Sequence, residues 1–466
     1  MESHLAPLIA FAKHELRKEQ HNWGNFPIYI KATGGVREMP YIQRENVMAT
    51  VRNYLLNSTN CPFFFRGDFA RVISGEEEGV FSWTGVNLLM GTLIDSNNRG
   101  HGTAQPIVDT YGVLDLGGAS TQISFFVQSQ DILEGLFKMQ LGSQRHWNVY
   151  TRSFLQFGHV SARKRHFQLL AAEALQIDCP QSQSNTQSEG VSIDIPPPYM
   201  QSALPDGILN ENEVVDYCLL SGYSESVVRD ESNLHILHDH SASKCCLVNN
   251  SIMMMDHSNS NGGMGAGTGI GIGRADINKA VLIHGPEKPD SAQFDKCFTS
   301  LVPLMEKKLQ GLCAFTYSGQ CSIGGSYQPS LPTGTARYKF IGTSSYRYIW
   351  KFLQLPETVR LSVYREKARS VCSMSMDEVT EYVKKSNEAT GTGTVPKMLP
   401  YYCFMASYYL VLLTEGYGFT MEDSLTVRDQ IDGLWGQCCM KSMVCLGHFH
   451  HHWIHIQSHS EPVLWV

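Results

Sequence analysis

Alternating and continuous apolar runs that end on glycine pairs organise the first part of the chain. Val113 and Leu114 lead into Asp115, and Ile123, Phe125 and Val127 alternate as a half-buried strand does, so residues 111–127 read as two strands joined at Gly117 and Gly118. A second apolar strand, near 27–33, delivers Thr33 onto Gly34 and Gly35. Residues 70–74 and 62–66 suit short strands, and the apolar stretch Val80 to Leu93 can be helical. Helices are expected near 5–19, 41–56, 161–177, 357–371 and 400–414. The pattern fails twice: residues 180–200 are rich in Ser, Gln and Pro, and residues 249–274 in Asn, Met and Gly, which predicts mobile loops rather than core.

The chemistry sits where strands meet glycines. Without Cβ atoms, Gly117 and Gly118 allow positive φ and let backbone N–H groups approach an anion. Asp115, at a strand end, is placed to hold a divalent cation, since Mg²⁺ and Ca²⁺ take hard oxygen ligands. Taken alone, the segment equally suits an ordinary hairpin turn. Thr33, Gly34 and Gly35 repeat the design, with Arg37 just beyond, as a second phosphate loop. Glu76, Glu77 and Glu78 lie between glycines ahead of the apolar stretch. Two of them, Glu76 and Glu77, suit a solvated helix start favoured by the dipole. Glu78 is followed at once by Gly79, Phe81 and Trp83, which could seat it in a tighter site. The alternating glycines of 267–273 lack the Lys-Ser/Thr ending of a phosphate loop and read as flexible.

These segments, in this order, resemble signature regions of the apyrases, the nucleoside triphosphate diphosphohydrolases of the GDA1/CD39 family. The resemblance rests on the threonine–glycine loop, on Glu78-Gly79 with Phe81 and Trp83, on Asp115 to Gln122, and on Asn148 to Leu155. It implies an α/β fold of the actin/Hsp70/sugar-kinase type, two lobes with mixed sheets. It also implies hydrolysis of nucleoside tri- and diphosphates to monophosphates with Ca²⁺ or Mg²⁺. Glu78 matches the general base that takes a proton from the attacking water. Thr33 matches a residue near phosphates and metal, and Asp115 one that holds the cation through water, with Glu78 close by. Gly34 belongs to the threonine loop, Gly117, Gly118, Ala119 and Ser120 match the terminal-phosphate cradle, and Gln122 matches the residue that places the water. Tyr348, within Phe340 to Tyr348, matches a tyrosine that stacks on the base; a core aromatic before a helix fits it equally.

The family's opening Asp-Gly-Ser loop is not found, so lobe one is expected to be incomplete. The resemblance places a remnant of lobe one at 1–74, lobe two at 75–426, and a return to lobe one at 427–466. From about Leu434 the text resembles nothing in the family and suits an altered reading frame. His448, His450, His451, His452, His455 and His459 there invite a metal, but no paired Cys-x-x-Cys accompanies them. A chain lacking the first loop allows two other readings: a nucleotide-binding fragment without turnover, or a different phosphotransferase of the same superfold.

Composition narrows the picture further. A net charge of -7 and 42% hydrophobic residues describe a globular protein with a real core and argue against a nucleic-acid or anionic-membrane surface. No run of 18 apolar residues is present, so membrane attachment is expected only through segments outside this chain. Thirteen cysteines without zinc-type spacing favour an oxidising compartment, the Golgi lumen or the cell surface. Family resemblance pairs Cys372 with Cys403; Cys297 is expected to pair with Cys245 or Cys246, and Cys313 and Cys321 bracket a short loop. Sequons at Asn57 and Asn249 would carry glycans in that compartment.

Overall fold

The computed structural model describes residues 2–93, 110–127, 134–141, 145–174, 213–228, 280–305, 320–332, 339–388, 398–428, 443–449, 452–457 and 464–465. Along the chain come α1 (Glu2–Glu15), β1 (Ile28–Ala32), α2 (Gly34–Arg37), α3 (Tyr41–Leu56), β2 (Ala70–Val72), α4 (Gly75–Leu89), β3 (Gly112–Leu116), β4 (Ser120–Phe126), β5 (Leu136–Leu141), β6 (Arg145–Leu155) and α5 (His159–Ala174). Next are β7 (Glu213–Val215), β8 (Ser224–Val228), β9 (Ala280–His284), α6 (Gln293–Leu301), β10 (Phe340–Ser344) and α7 (Tyr346–Phe352). The remainder is β11 (Thr358–Arg360), α8 (Leu361–Cys372), α9 (Met376–Glu388), α10 (Tyr402–Val411), β12 (Ser424–Thr426), β13 (Met443–Phe449), β14 (His452–Gln457) and β15 (Leu464–Trp465).

The chain folds into two units, one of Met1–Ala162, Pro329–Tyr364 and Phe419–Val466, the other of Arg163–Gln328 and Arg365–Gly418. The first holds a mixed seven-stranded sheet in the order β11-β12-β10-β3-β4-β6-β5. Its centre is the parallel pair β10–β3 followed by the antiparallel run β3–β4–β6. Because directly opposed residues share a sheet face, Asp115, Gln122 and Ser153 form one rung, and Val113, Ser124 and Thr151 the next. Helix α4 lies on these rungs, with Trp83 and Val86 in a core that includes Val113, Trp147, Val149 and Ile341. Its start is a capping box: Ser74 Oγ accepts from the Glu77 amide at 3.1 Å, and Glu77 Oε2 from the Ser74 amide at 3.1 Å. Gly75 and Gly79 face the sheet, and a Cβ on either would collide with Ser153 or with Thr151 and Ser124. The helix therefore approaches the strands more closely than side chains would permit.

The same unit contains a separate core drawn only from the first part of the chain, with Leu8, Ile9, Ile28, Ile30, Met48, Val51, Leu55 and Phe63 among its members. Here β1 pairs in parallel with β2 and with β15. Burying each such aliphatic side chain stabilises the fold by about 1.5–3 kcal/mol. The expected helix at 41–56 is observed with those bounds, but residues 62–66 supply only an isolated bridge, Pro27 to Phe64, in place of a strand. A kinked 3-10 segment, Arg17–Asn25, replaces the end of the first expected helix.

The second unit is built on the sheet β7-β9-β8 and on helices α6, α9 and α10 with most of α8. Cys218–Cys297 and Cys372–Cys403 cross-link it. The second pairing is the one the family resemblance implied. The first corrects the expectation for Cys297, whose sulfur meets Cys218 across 79 residues rather than Cys245 or Cys246. Cys321 is also disulfide-bonded, while Cys313, Cys245 and Cys246 lie outside the described residues. So do both expected mobile loops, the glycines of 267–273, Asn249 and the side chains of the His-rich stretch. Among the described residues no helix is long and apolar enough to cross a membrane.

Candidate active site

The site assembles within the first unit from three turns and one helix. After β1, Thr33 occupies the N-cap position of the short helix α2, and the chain turns so that Arg37 points back toward α4. Gly34 rests against the turn between β3 and β4: a Cβ there would lie 2.6 Å from Ser120 Oγ and 3.2 Å from the Ala119 Cβ. The two glycine loops recognised in the sequence therefore touch. Neither Gly117 nor Gly118 has positive φ, so the conformational reason expected for them is corrected. A Cβ on Gly117 would lie 3.3 Å from the Ser120 carbonyl oxygen, and Gly158 packs on the Gly118–Ala119 backbone without room for a Cβ of its own.

Glu78 emerges from the first turn of α4. Its Oε2 accepts from Arg37 Nη2 at 2.8 Å and from Gln122 Nε2 at 3.2 Å. Among the described residues nothing donates to Oε1. Burial is the largest influence on this carboxyl and raises its pKa to about 7; the Arg37 charge opposes the rise and Asp115 adds to it. Glu77, one residue earlier, points away and pairs with Arg71 at 2.9 Å, a hydrogen bond that holds its pKa below the usual value. The neighbours expected to seat Glu78 divide: Trp83 is fully buried, whereas Phe81 is 39% exposed. Gly75 and Gly79 do the seating.

Gln122 Nε2 also reaches Ser120 Oγ and Ser153 Oγ, each at 3.0 Å, and Arg37 spans the same region by donating to Ser120 Oγ at 3.1 Å and to the Ile73 carbonyl at 3.0 Å. Asp115 is buried, with Ser82 Oγ donating to Oδ2 at 2.8 Å and Ser344 Oγ to Oδ1 at 2.6 Å. Ser344 stands at the end of β10 with φ 58, a left-handed backbone uncommon outside glycine. Each carboxylate oxygen of Asp115 thus accepts one hydroxyl and keeps a lone pair for water. Asp115, Thr33 and Glu78 all offer oxygen, the donor type that hard divalent cations take.

Thr33, Gly34, Glu78, Asp115, Gly117, Gly118, Ala119, Ser120 and Gln122 are thus brought together. Tyr348 is half-buried on α7 with the Arg347 guanidinium 5.5 Å from its ring, while Tyr346, Ile349, Trp350 and Phe352 take the buried positions of that helix. Sequence reading gave no role to Arg37, Ser82, Ser153, Gly158 or Ser344. Arg37 alone carried a signal, a cation immediately behind a glycine loop.

A model of the GDA1/CD39 (nucleoside phosphatase) family matches residues 1–458. The chain belongs to this family. The family match runs past Leu434, beyond the point where the sequence reading found similarity to end. Among GDA1/CD39 relatives, the chain is 27% identical over 405 residues to ectonucleoside triphosphate diphosphohydrolase 1 of Bos taurus, covering 85% of this chain and 61% of that protein. It is 24% identical over 417 residues to probable apyrase 3 of Arabidopsis thaliana, covering 89% and 64%. The chain therefore spans less than two thirds of the length of these relatives. Nucleoside triphosphate hydrolases from Neospora caninum share the fold with TM-score 0.53 and 17% identity, over 99% of this chain and 76% of that one. The α/β, actin-like class with mixed sheets expected from the sequence is the class observed.

Proposed function

We propose that this GDA1/CD39 chain hydrolyses nucleoside tri- and diphosphates stepwise to the monophosphate. The observation that carries the reading is Glu78: one oxygen is fixed by Arg37 and Gln122, the other is open, and its pKa lies near neutrality at about 7. In this scheme Glu78 Oε1 takes a proton from water as the water oxygen bonds to the terminal phosphorus. The bridging oxygen leaves with the shortened nucleotide. Gln122 orients the water. Gly117, Gly118, Ala119 and Ser120 seat the terminal phosphate opposite Thr33 and Gly34, and Tyr348 stacks on the base. Asp115, through water, with Thr33 and Glu78 alongside, would hold Ca²⁺ or Mg²⁺, which supplies charge neutralisation on the phosphate oxygens.

The chain is divided on this proposal into a lobe-one portion at 1–74, lobe two at 75–426 and a return at 427–466. The self-contained core running from Leu5 to Val72 and the pairing of β15 with β1 support that division. The disulfides of the second unit and the name of the bovine relative support residence in the secretory pathway or at the cell surface.

Phosphate release from ATP and UDP with Ca²⁺ or Mg²⁺, with and without EDTA, tests the activity. In isotopically labelled water the label should enter the released phosphate, and Glu78→Ala should abolish release. Binding of nucleotide without any release by the unaltered chain would refute the enzymatic reading.

A further inference from the structure

The turn at 117–119 is held from behind by one short segment. Gln156 donates its amide to the Ala119 carbonyl at 2.7 Å, His159 to Gly117 at 3.1 Å, and Val160 and Ser161 to Gly118 at 2.9 and 3.1 Å. In a planar trans peptide the C=O of one residue and the N–H of the next point in opposite directions. Fixing the Gly117 and Gly118 carbonyls against α5 therefore turns the Gly118 and Ala119 amides the other way. Among the described residues neither of those amides meets a hydrogen-bond acceptor, so two N–H groups remain as donors for an anion.

His159 holds this arrangement twice. Besides its backbone amide, its buried ring places Nδ1 3.1 Å from the same Gly117 carbonyl. A carbonyl can only accept, so a proton on Nδ1 would be donated to it. The same nitrogen lies 3.1 Å from Ser345 Oγ, next to the Ser344 that binds Asp115. Gln156 reaches Ala119 from a left-handed backbone, φ 71, which a non-glycine residue adopts only at a cost in strain. Gly158 permits the close approach between them.

We propose that His159 is a positioning residue for phosphoryl transfer: its ring and amide together orient the Gly117–Gly118 peptide so that the Gly118 N–H faces the terminal phosphate. This rests on the reading of 117–120 as the phosphate seat.

The test compares His159→Ala and His159→Asn in the full chain, since an Asn side-chain amide can replace the Nδ1 donor. For His159→Ala the expected result is a fall in kcat for ATP of about ten- to a hundredfold. The KM for ATP should stay within about twofold, because a misdirected donor weakens transition-state contacts more than ground-state binding. Inhibition by orthovanadate, which mimics the phosphorus in transfer, should weaken in parallel, and His159→Asn should recover most of both. Unchanged kcat in His159→Ala overturns the inference, as does a loss equal in both variants that accompanies a drop in thermal midpoint. A wild-type chain that releases no phosphate, or a Glu78→Ala variant as active as wild type, would instead overturn the functional reading beneath it.

Discussion

Replacing Glu78 by Gln should make the protein more stable and inactive at once, with the gain confined to neutral and alkaline pH. Burial raises the Glu78 pKa from an ordinary 4.5 to about 7, so the folded chain holds this proton more firmly than the unfolded one. The stability that follows is present below the unfolded value of 4.5 and lost as pH rises through 7. At about 1.4 kcal/mol per pH unit, that gap is worth about 3 kcal/mol when both states are ionised. Gln keeps the shape of the neutral carboxyl and can still accept from Arg37, yet has no proton to lose. Glu78→Gln should therefore exceed wild type by about 3 kcal/mol at pH 8 and by under about 1 kcal/mol at pH 5. Urea unfolding of both proteins at the two pH values measures the difference, and phosphate release from ATP, assayed beside it, should fall by about a hundredfold or more. A stability difference that does not change with pH, or a wild type more stable than the variant at pH 8, would refute the reasoning.

Arg37→Met removes the charge that opposes the rise in the Glu78 pKa, so the ascending limb of kcat/KM against pH should move to higher pH than in wild type. Gly79→Ala is a substitution for which helix propensity alone forecasts a gain of up to about 1 kcal/mol. Here the collision with Thr151 and Ser124 should reverse the sign, lowering the thermal midpoint and the rate together. Cys372→Ser opens a cross-link that spans 31 residues, which loop-closure entropy values at about 4 kcal/mol. Its thermal midpoint should be lower than that of wild type, and the difference should vanish when both are measured in reductant.

Local features of this site were legible because local chemistry dictates them. The Asp115 turn, the Thr33 loop and the division of labour among three successive glutamates all follow from residues within a few positions of one another. The capping box of Ser74 and Glu77, which the sequence reading did not name, fixes the start of α4 and so the direction in which Glu78 leaves it. Other parts depend on tertiary register. Ser82 is chosen as a partner for Asp115 because α4 lies along β3, and Ser153 for Gln122 because β4 and β6 pair there. No spacing rule announces either. The Cys218–Cys297 bond escaped for the same reason, its partners being joined by the packing of the second unit. For the glycines the opposite happened: the residue type marked the turn, but Gly117 and Gly118 do not use its freedom of φ.

The hydroxyl that completes the grip on Asp115 comes from 229 residues downstream, after the chain has left the first unit and come back. During synthesis, the second unit can gather much of its own sequence while β3 and β4 still wait for β10 to arrive beside them. Contacts of such long range slow folding, and they leave the edge of β3 unpaired in the meantime. A nascent chain stalled before Ser344 would thus display the acid and the glycine turn without the strand that sets them, so competence for chemistry should appear abruptly and late, as a property of the finished polypeptide.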